Sequence, residues 1–169
     1  MSATEIPKID IPPEKLAARR RQMVSNYFQF WIEVFREEGF SEEKINEMII
    51  KWGRKQGEHT AKLYKYFIEN KGVKLDNVPE FVTRVMMPSS LIMDENCHVC
   101  FLPDKKELVY RTITCPTGKM IIDLGIDPMV CVKQCDEWLT ETFKALPNVK
   151  YTRTKNFVDD GVCEWEFIF

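Results

Sequence analysis

Apolar residues recur every three or four positions through the first part of the chain and every second position in much of the rest. Met23, Tyr27, Phe30, Trp31, Val34 and Phe35 share one helical face, which predicts an amphipathic helix over about 14–38. Gly39 ends it. Ser41 is a cap for the next helix, with Glu42 and Glu43 favourably placed in its first turn. Ile45, Met48, Ile49, Trp52, Gln56, Leu63 and Phe67 keep helical spacing to about Asn70, and Lys71-Gly72 supplies the stop. Gly53 and Gly57 lie beside the Trp52 stripe. Glycine costs a helix about 1 kcal/mol relative to alanine, so the pair predicts close approach of another element. Asn77 and Pro79 mark the start of a short helix over 78–87.

The period then changes. ENCHVCFL and ELVYRTITC read as strands joined by the turn Pro103-Asp104-Lys105-Lys106. TGKMIIDLG predicts a short helix. Asp127-Pro128 opens a helix through PMVCVKQCDEWLTETFKAL, and Pro147-Asn148 ends it. VKYTRTKNF and VCEWEFIF form a second hairpin around Asp159-Asp160-Gly161. The expected fold class is α+β: an antiparallel sheet of about four strands, from two hairpins, packed with helices and preceded by a long helical hairpin. Residues 1–12 lack periodicity and predict an extended arm. Residues 13–88 form a helical region, and 89–169 a cysteine-rich α+β region packed with it as one domain.

Composition narrows the function classes. The chain has 24 basic and 26 acidic residues, a net charge of -2, so it carries no electrostatic footprint for nucleic acid or anionic lipid. Arg19-Arg20-Arg21 reads as a solvated helix face. There is no secretory leader pattern and no apolar run long enough to span a membrane, which predicts a cytoplasmic protein with neither membrane nor nucleic acid as partner. All six cysteines follow residue 96. In that compartment they are thiols or metal ligands rather than structural disulfides.

Strand geometry predicts where those thiols point. A four-residue loop pairs Leu102 with Glu107, Cys100 with Val109 and His98 with Arg111. One surface then carries His98, Cys100, Val109, Arg111, Ile113 and Cys115. On the last strand Cys163, Trp165, Phe167 and Phe169 share the face expected to be buried. Cys131 and Cys135 stack one helical turn apart with Trp138, Leu139 and Leu146. Four thiols, Cys100, Cys115, Cys135 and Cys163, are expected to converge under the sheet with Cys131 close by and Asp136 at the edge. Three uses remain open for them: core packing, a metal site, or a nucleophilic thiolate. Cys97-x2-Cys100 has zinc-knuckle spacing but lacks a matching second pair. His59 reads as structural or solvated. No GxSxG, HExxH, phosphate-binding glycine loop or dinucleotide fingerprint is present.

Three segments, TITCPTGKMIIDLG, CVKQCDEW and YTRTKNFVDDGVCEWEF, together resemble the L-2-amino-thiazoline-4-carboxylic acid hydrolase-like family and, more distantly, small-molecule-binding domains of the 4-vinyl reductase type. Cys115-Pro116, Cys135-Asp136, and Gly161 followed by Cys163 carry the resemblance, with Trp52-Gly53 and Gly57 in the second helix. It implies an α+β fold with a pocket between sheet and helices. The function it implies is a hydrolase opening a C–N or C–S bond of a small cyclic substrate. Cys115 and Cys135 are then the catalytic thiols, as nucleophile or holding a metal, with Asp136 as acid/base group. The resemblance carries over Cys115, Cys135 and Cys163; His98, Cys100 and Cys131 lie outside its pattern. From strand geometry and side-chain chemistry, Arg111 and His98 are the expected substrate-binding residues, and Cys100, Cys115, Cys135 and Cys163 the expected metal set, for zinc or an iron–sulfur cluster, the cofactor itself being unassigned. The alternative is a non-catalytic module binding a small molecule or a metal. The aromatic stripes of the first two helices suggest a homodimer.

Overall fold

The computed structural model describes residues 12–88 and 96–169. The expected arm lies, but for Pro12, outside the described residues. Helix α1 spans Pro13–Glu37 and α2 spans Glu42–Lys71. Gly39 adopts a φ of +79° in the turn between them, a conformation that glycine takes without a Cβ clash. Ser41 caps α2, its hydroxyl accepting the Lys44 N–H at 3.2 Å. Helix α3, Val78–Phe81, follows a cap at Asn77 and continues as a wider π turn over Val82–Met86, so the expected short helix changes winding after one turn.

Strand β1, Asn96–Leu102, and β2, Glu107–Thr114, form the first hairpin. Their register pairs Leu102 with Glu107, Cys100 with Val109 and His98 with Arg111, as the loop length predicts. Helix α4, Pro116–Asp123, and α5, Pro128–Phe143, come next. Asp127 caps α5 by accepting the Met129 N–H at 2.9 Å. The helix stops three residues short of the sequence expectation, and Leu146 is buried from the turn instead. Pro147 disfavours helical geometry in the residue before it, so the chain unwinds early. Strand β3, Lys150–Lys155, and β4, Cys163–Ile168, are joined through a one-turn helix α6, Phe157–Asp160. All pairings are antiparallel, in the order β1-β2-β4-β3. The fold is α+β.

One face of the sheet holds the core. Leu108, Tyr110 and Thr112 of β2 stand opposite Phe167, Trp165 and Cys163 of β4, and all six are buried. Tyr64 of α2, Phe81 of α3 and Phe143 of α5 pack edge-on or tilted with Phe167 and Phe169 in the same cluster. A second cluster sits outside it, where Ile32 of α1 meets Ile45 and Ile49 of α2, Ile121 of α4 and Val130 of α5. The opposite sheet face is polar. There Arg111 pairs with Glu164, which also accepts from Thr154 at 3.0 Å. Burial pushes the Glu164 carboxyl up, but the bonds from Arg111 and Thr154 hold it below its ordinary value.

Helices α2 and α5 approach each other closely at two glycines. A Cβ at Gly53 would lie 2.3 Å from the Gln134 carbonyl oxygen, and one at Gly57 would lie 2.4 Å from that of Trp138. Both obstacles are backbone, so no side-chain rotation relieves them. Gly53→Ala and Gly57→Ala are each expected to lower stability by about 2–3 kcal/mol, despite the better helix propensity of alanine. Thermal unfolding followed by circular dichroism checks this, and the expected drop in Tm is roughly 5–10 °C.

Candidate functional site

Cys115 follows the last residue of β2, Thr114, and caps α4, which Pro116 starts. The backbone turns out of the sheet there, so Cys115 leaves the strand's alternation and comes under the sheet. Its sulfur accepts the Gly118 N–H at 3.4 Å as the cap of α4. Gly118 is buried against this group. A Cβ there would lie 3.3 Å from the Cys131 sulfur and 3.8 Å from the Cys115 sulfur. Cys131 and Cys135 project from successive turns of α5, and Cys163 rises from β4 opposite Thr112.

These four thiols line one cavity of about 380 Å³ between the sheet and helices α2 and α5. Tyr110, Trp165 and Phe167 supply its sheet wall. Trp52 and Trp138 supply its helix wall, with Trp138 held by a 3.1 Å bond from its Nε1 to the Thr60 hydroxyl. Met86 lines it from the π turn. Gln56 and His59 line it and are themselves exposed, which places them at its rim.

Of the four thiols expected to converge, three do: Cys115, Cys135 and Cys163, joined by Cys131. Cys100 does not. With His98 and Arg111 it faces the polar side of the sheet, away from the cavity. The phase of the first hairpin is therefore opposite to that expected. Thr112 pairs with Cys163, which puts the even-numbered positions of β2 on the core face and Val109 and Arg111 on the other. A more open hollow of about 580 Å³ surrounds His98, Cys100 and Arg111 there. Arg111 is committed to Glu164, so it does not reach a substrate beside the thiols. Asp136 lies midway along α5 and pairs with Arg153 at 2.8 Å. Arg153 also lies over the Trp165 ring and donates to the Val132 carbonyl at 3.3 Å.

His59, read from sequence as structural or solvated, is exposed and in addition lines the cavity at its rim. The signal was present: it lies three residues beyond Gln56 and seven beyond Trp52, on the same helical stripe. Arg153 was not singled out either. Nothing in YTRTKNF distinguishes a half-buried arginine from a solvated one.

The electrostatics disfavour the thiolate at Cys131 and Cys135. Cys131 is hydrogen-bonded to Cys115, and that bond, burial and the neighbouring thiols all push its pKa up. Burial pushes the Cys135 thiol up strongly, with Arg153 opposing it. Partial burial also raises the Asp136 carboxyl against the pull of Arg153. Cys100 lies on the wrong face for the expected metal set, and among the described residues no group of three or more His, Cys, Asp or Glu side chains is arranged to hold a metal ion. The expected set of Cys100, Cys115, Cys135 and Cys163 is therefore not brought together in one place.

No protein-family model and no curated protein matches the chain. Among solved structures, a trafficking protein particle complex subunit 3 from Naegleria fowleri, covalently bound to palmitic acid, is similar over 89% of this chain and 95% of that one. Its TM-score is 0.49 and its sequence identity 13%. At that level the likeness carries no argument. No helix among the described residues is long and apolar enough to cross a membrane.

The thiols differ in accessibility, and this is measurable. Timed alkylation with iodoacetamide near neutral pH, read by peptide mass spectrometry, is expected to modify exposed Cys100 first. Cys131 and Cys135 should react slower by about tenfold or more, because both are shielded and held protonated. Equal rates at Cys100 and Cys135 would contradict this account of the cluster.

Proposed function

We propose that the protein is a small-molecule-binding module whose ligand occupies the cavity beneath the sheet. The observation that carries this reading is the cavity itself. Its volume, about 380 Å³, lies within the usual range of roughly 300–1,000 Å³ for small-molecule sites. Its walls are aromatic and aliphatic, with a few polar groups (Thr112, Gln134 and the rim residues Gln56 and His59) able to orient a ligand. Protonated Cys131 and Cys135 suit this role, since a protonated cysteine packs as a small, polarisable apolar group. The expected ligand is apolar or aromatic and about the size of a fused two-ring compound. The reading also fits a reducing, cytoplasmic setting, in which six free cysteines persist. A second copy of the chain is the other partner proposed, on a separate surface.

A second reading, a hydrolase acting on a C–N or C–S bond of a small cyclic substrate, is favoured by one observation. Cys115 lines the cavity with its sulfur against the first turn of α4, a setting used to activate thiols. Cys135 and Asp136 contribute less to it. The first is buried and held protonated, and the second is paired with Arg153.

Tryptophan fluorescence separates the readings, because Trp52, Trp138 and Trp165 all line the cavity. Titration with 2-naphthol should change their emission and saturate. Cys163→Phe, which fills the cavity from the sheet side, should weaken binding by about tenfold or more with helical circular dichroism unchanged. Cys115→Ala should leave binding within about threefold under the first reading. Turnover of a cyclic thiazoline substrate that Cys115→Ala abolishes would favour the second. A full-strength signal in Cys163→Phe would place the ligand elsewhere and sink the first.

A further inference from the structure

Helix α1 has two apolar faces. Phe28, Ile32 and Phe35 pack inward with Ile45 and Ile121. The other face carries Leu16, Met23, Tyr27, Phe30 and Trp31, continued by half-buried Val34. These residues follow heptad-like spacing and form one stripe along a helix about 37 Å long. Met23 is 57% exposed, Tyr27 63%, Phe30 54% and Trp31 52%, and no described element covers them. Single exposed apolar residues are ordinary, but a continuous row of this size marks a contact surface.

The charges beside the stripe indicate what covers it. Arg19 and Glu37 lie on the same flank, equally far in sequence from position 28, and both are exposed. Lys15 lies towards the same end as Arg19, and Glu33 and Glu38 towards the same end as Glu37. In an antiparallel helix pair related by a two-fold axis, a flank faces its own copy reversed. The basic end of one stripe then meets the acidic end of the other, and the aromatic centres coincide. A parallel pairing would set like charges side by side. The exposed apolar area is on the order of 400–500 Å² per copy, and with its charged flanks it approaches the roughly 800 Å² per partner of a standard interface.

We propose that α1 is the interface of an antiparallel homodimer, with its two-fold axis near the level of residue 28, Tyr27, Phe30 and Trp31 at the centre and Arg19–Glu37 pairs at both ends. The dimer leaves the cavity outside the contact, because none of the cavity-lining residues belongs to α1.

Sedimentation equilibrium of the full chain tests it. The wild type is expected to be a dimer, and Tyr27→Glu/Trp31→Glu a monomer with unchanged circular dichroism. Arg19→Glu and Glu37→Arg should each raise the dimer Kd by roughly fivefold to tenfold, and the two combined should restore it. A wild type that stays monomeric at every concentration overturns the proposal. So does a dimer that survives the Tyr27/Trp31 variant, or a charge swap no tighter than either single variant. Self-association appearing only after removal of residues 1–11 would assign the stripe to the chain's own N-terminal segment and also overturn it.

Discussion

The backbone-to-backbone approach of α2 and α5 is the constraint on which the rest of the structure depends. Two glycines one turn apart let the Gln134 and Trp138 carbonyls sit where side chains would otherwise be. That proximity fixes the height and rotation of α5, and with them the directions of Cys131, Cys135 and Trp138. It also brings Thr60 within reach of the Trp138 indole, a bond worth about 1 kcal/mol that sets the ring as one wall of the cavity. With bulkier residues at 53 and 57 the helices would separate, and the space under the sheet would lose its shape before it lost its residues.

Much of this was legible in the sequence because it is local. Ser41, Gly72, Asp127 and Gly161 punctuate the elements where their chemistry says they should. A four-residue loop was enough to give the β1–β2 register. The glycine pair announced a close contact without naming the partner helix. What the sequence hid was the phase of the first hairpin. Leu108, Tyr110 and Thr112 on one side of β2, and Val109 and Ile113 on the other, are both apolar enough to be buried. The choice between them is made by pairing with β4, a strand some fifty residues away. Cys115 misled in the same way. Counted as a strand residue it shares a face with Arg111, but the Cys-Pro turn removes it from the alternation. Hence Cys115 reaches the cavity while Cys100 and His98 do not.

That geometry also sets the protonation of two of the cysteines. A thiol gains nucleophilicity or metal affinity by losing its proton, and Cys131 and Cys135 are held in the opposite state by burial and by one another. The nearest cation, Arg153, opposes that shift at Cys135 but is itself paired with Asp136. Burial thus works against a thiolate at Cys131 and Cys135, and Tyr110, Trp138, Trp165 and Phe167 form apolar walls around them.

The most direct measurement of the proposed binding between those walls is the set of nuclear Overhauser contacts made by bound 2-naphthol in protein labelled at methionine methyls and tryptophan indoles. The account predicts contacts to the Met86 methyl and to the Trp138 and Trp165 rings, and none to Trp31. Contacts confined to Trp31 and Met23 on α1, or to the outer face of the sheet around Val109, would contradict it.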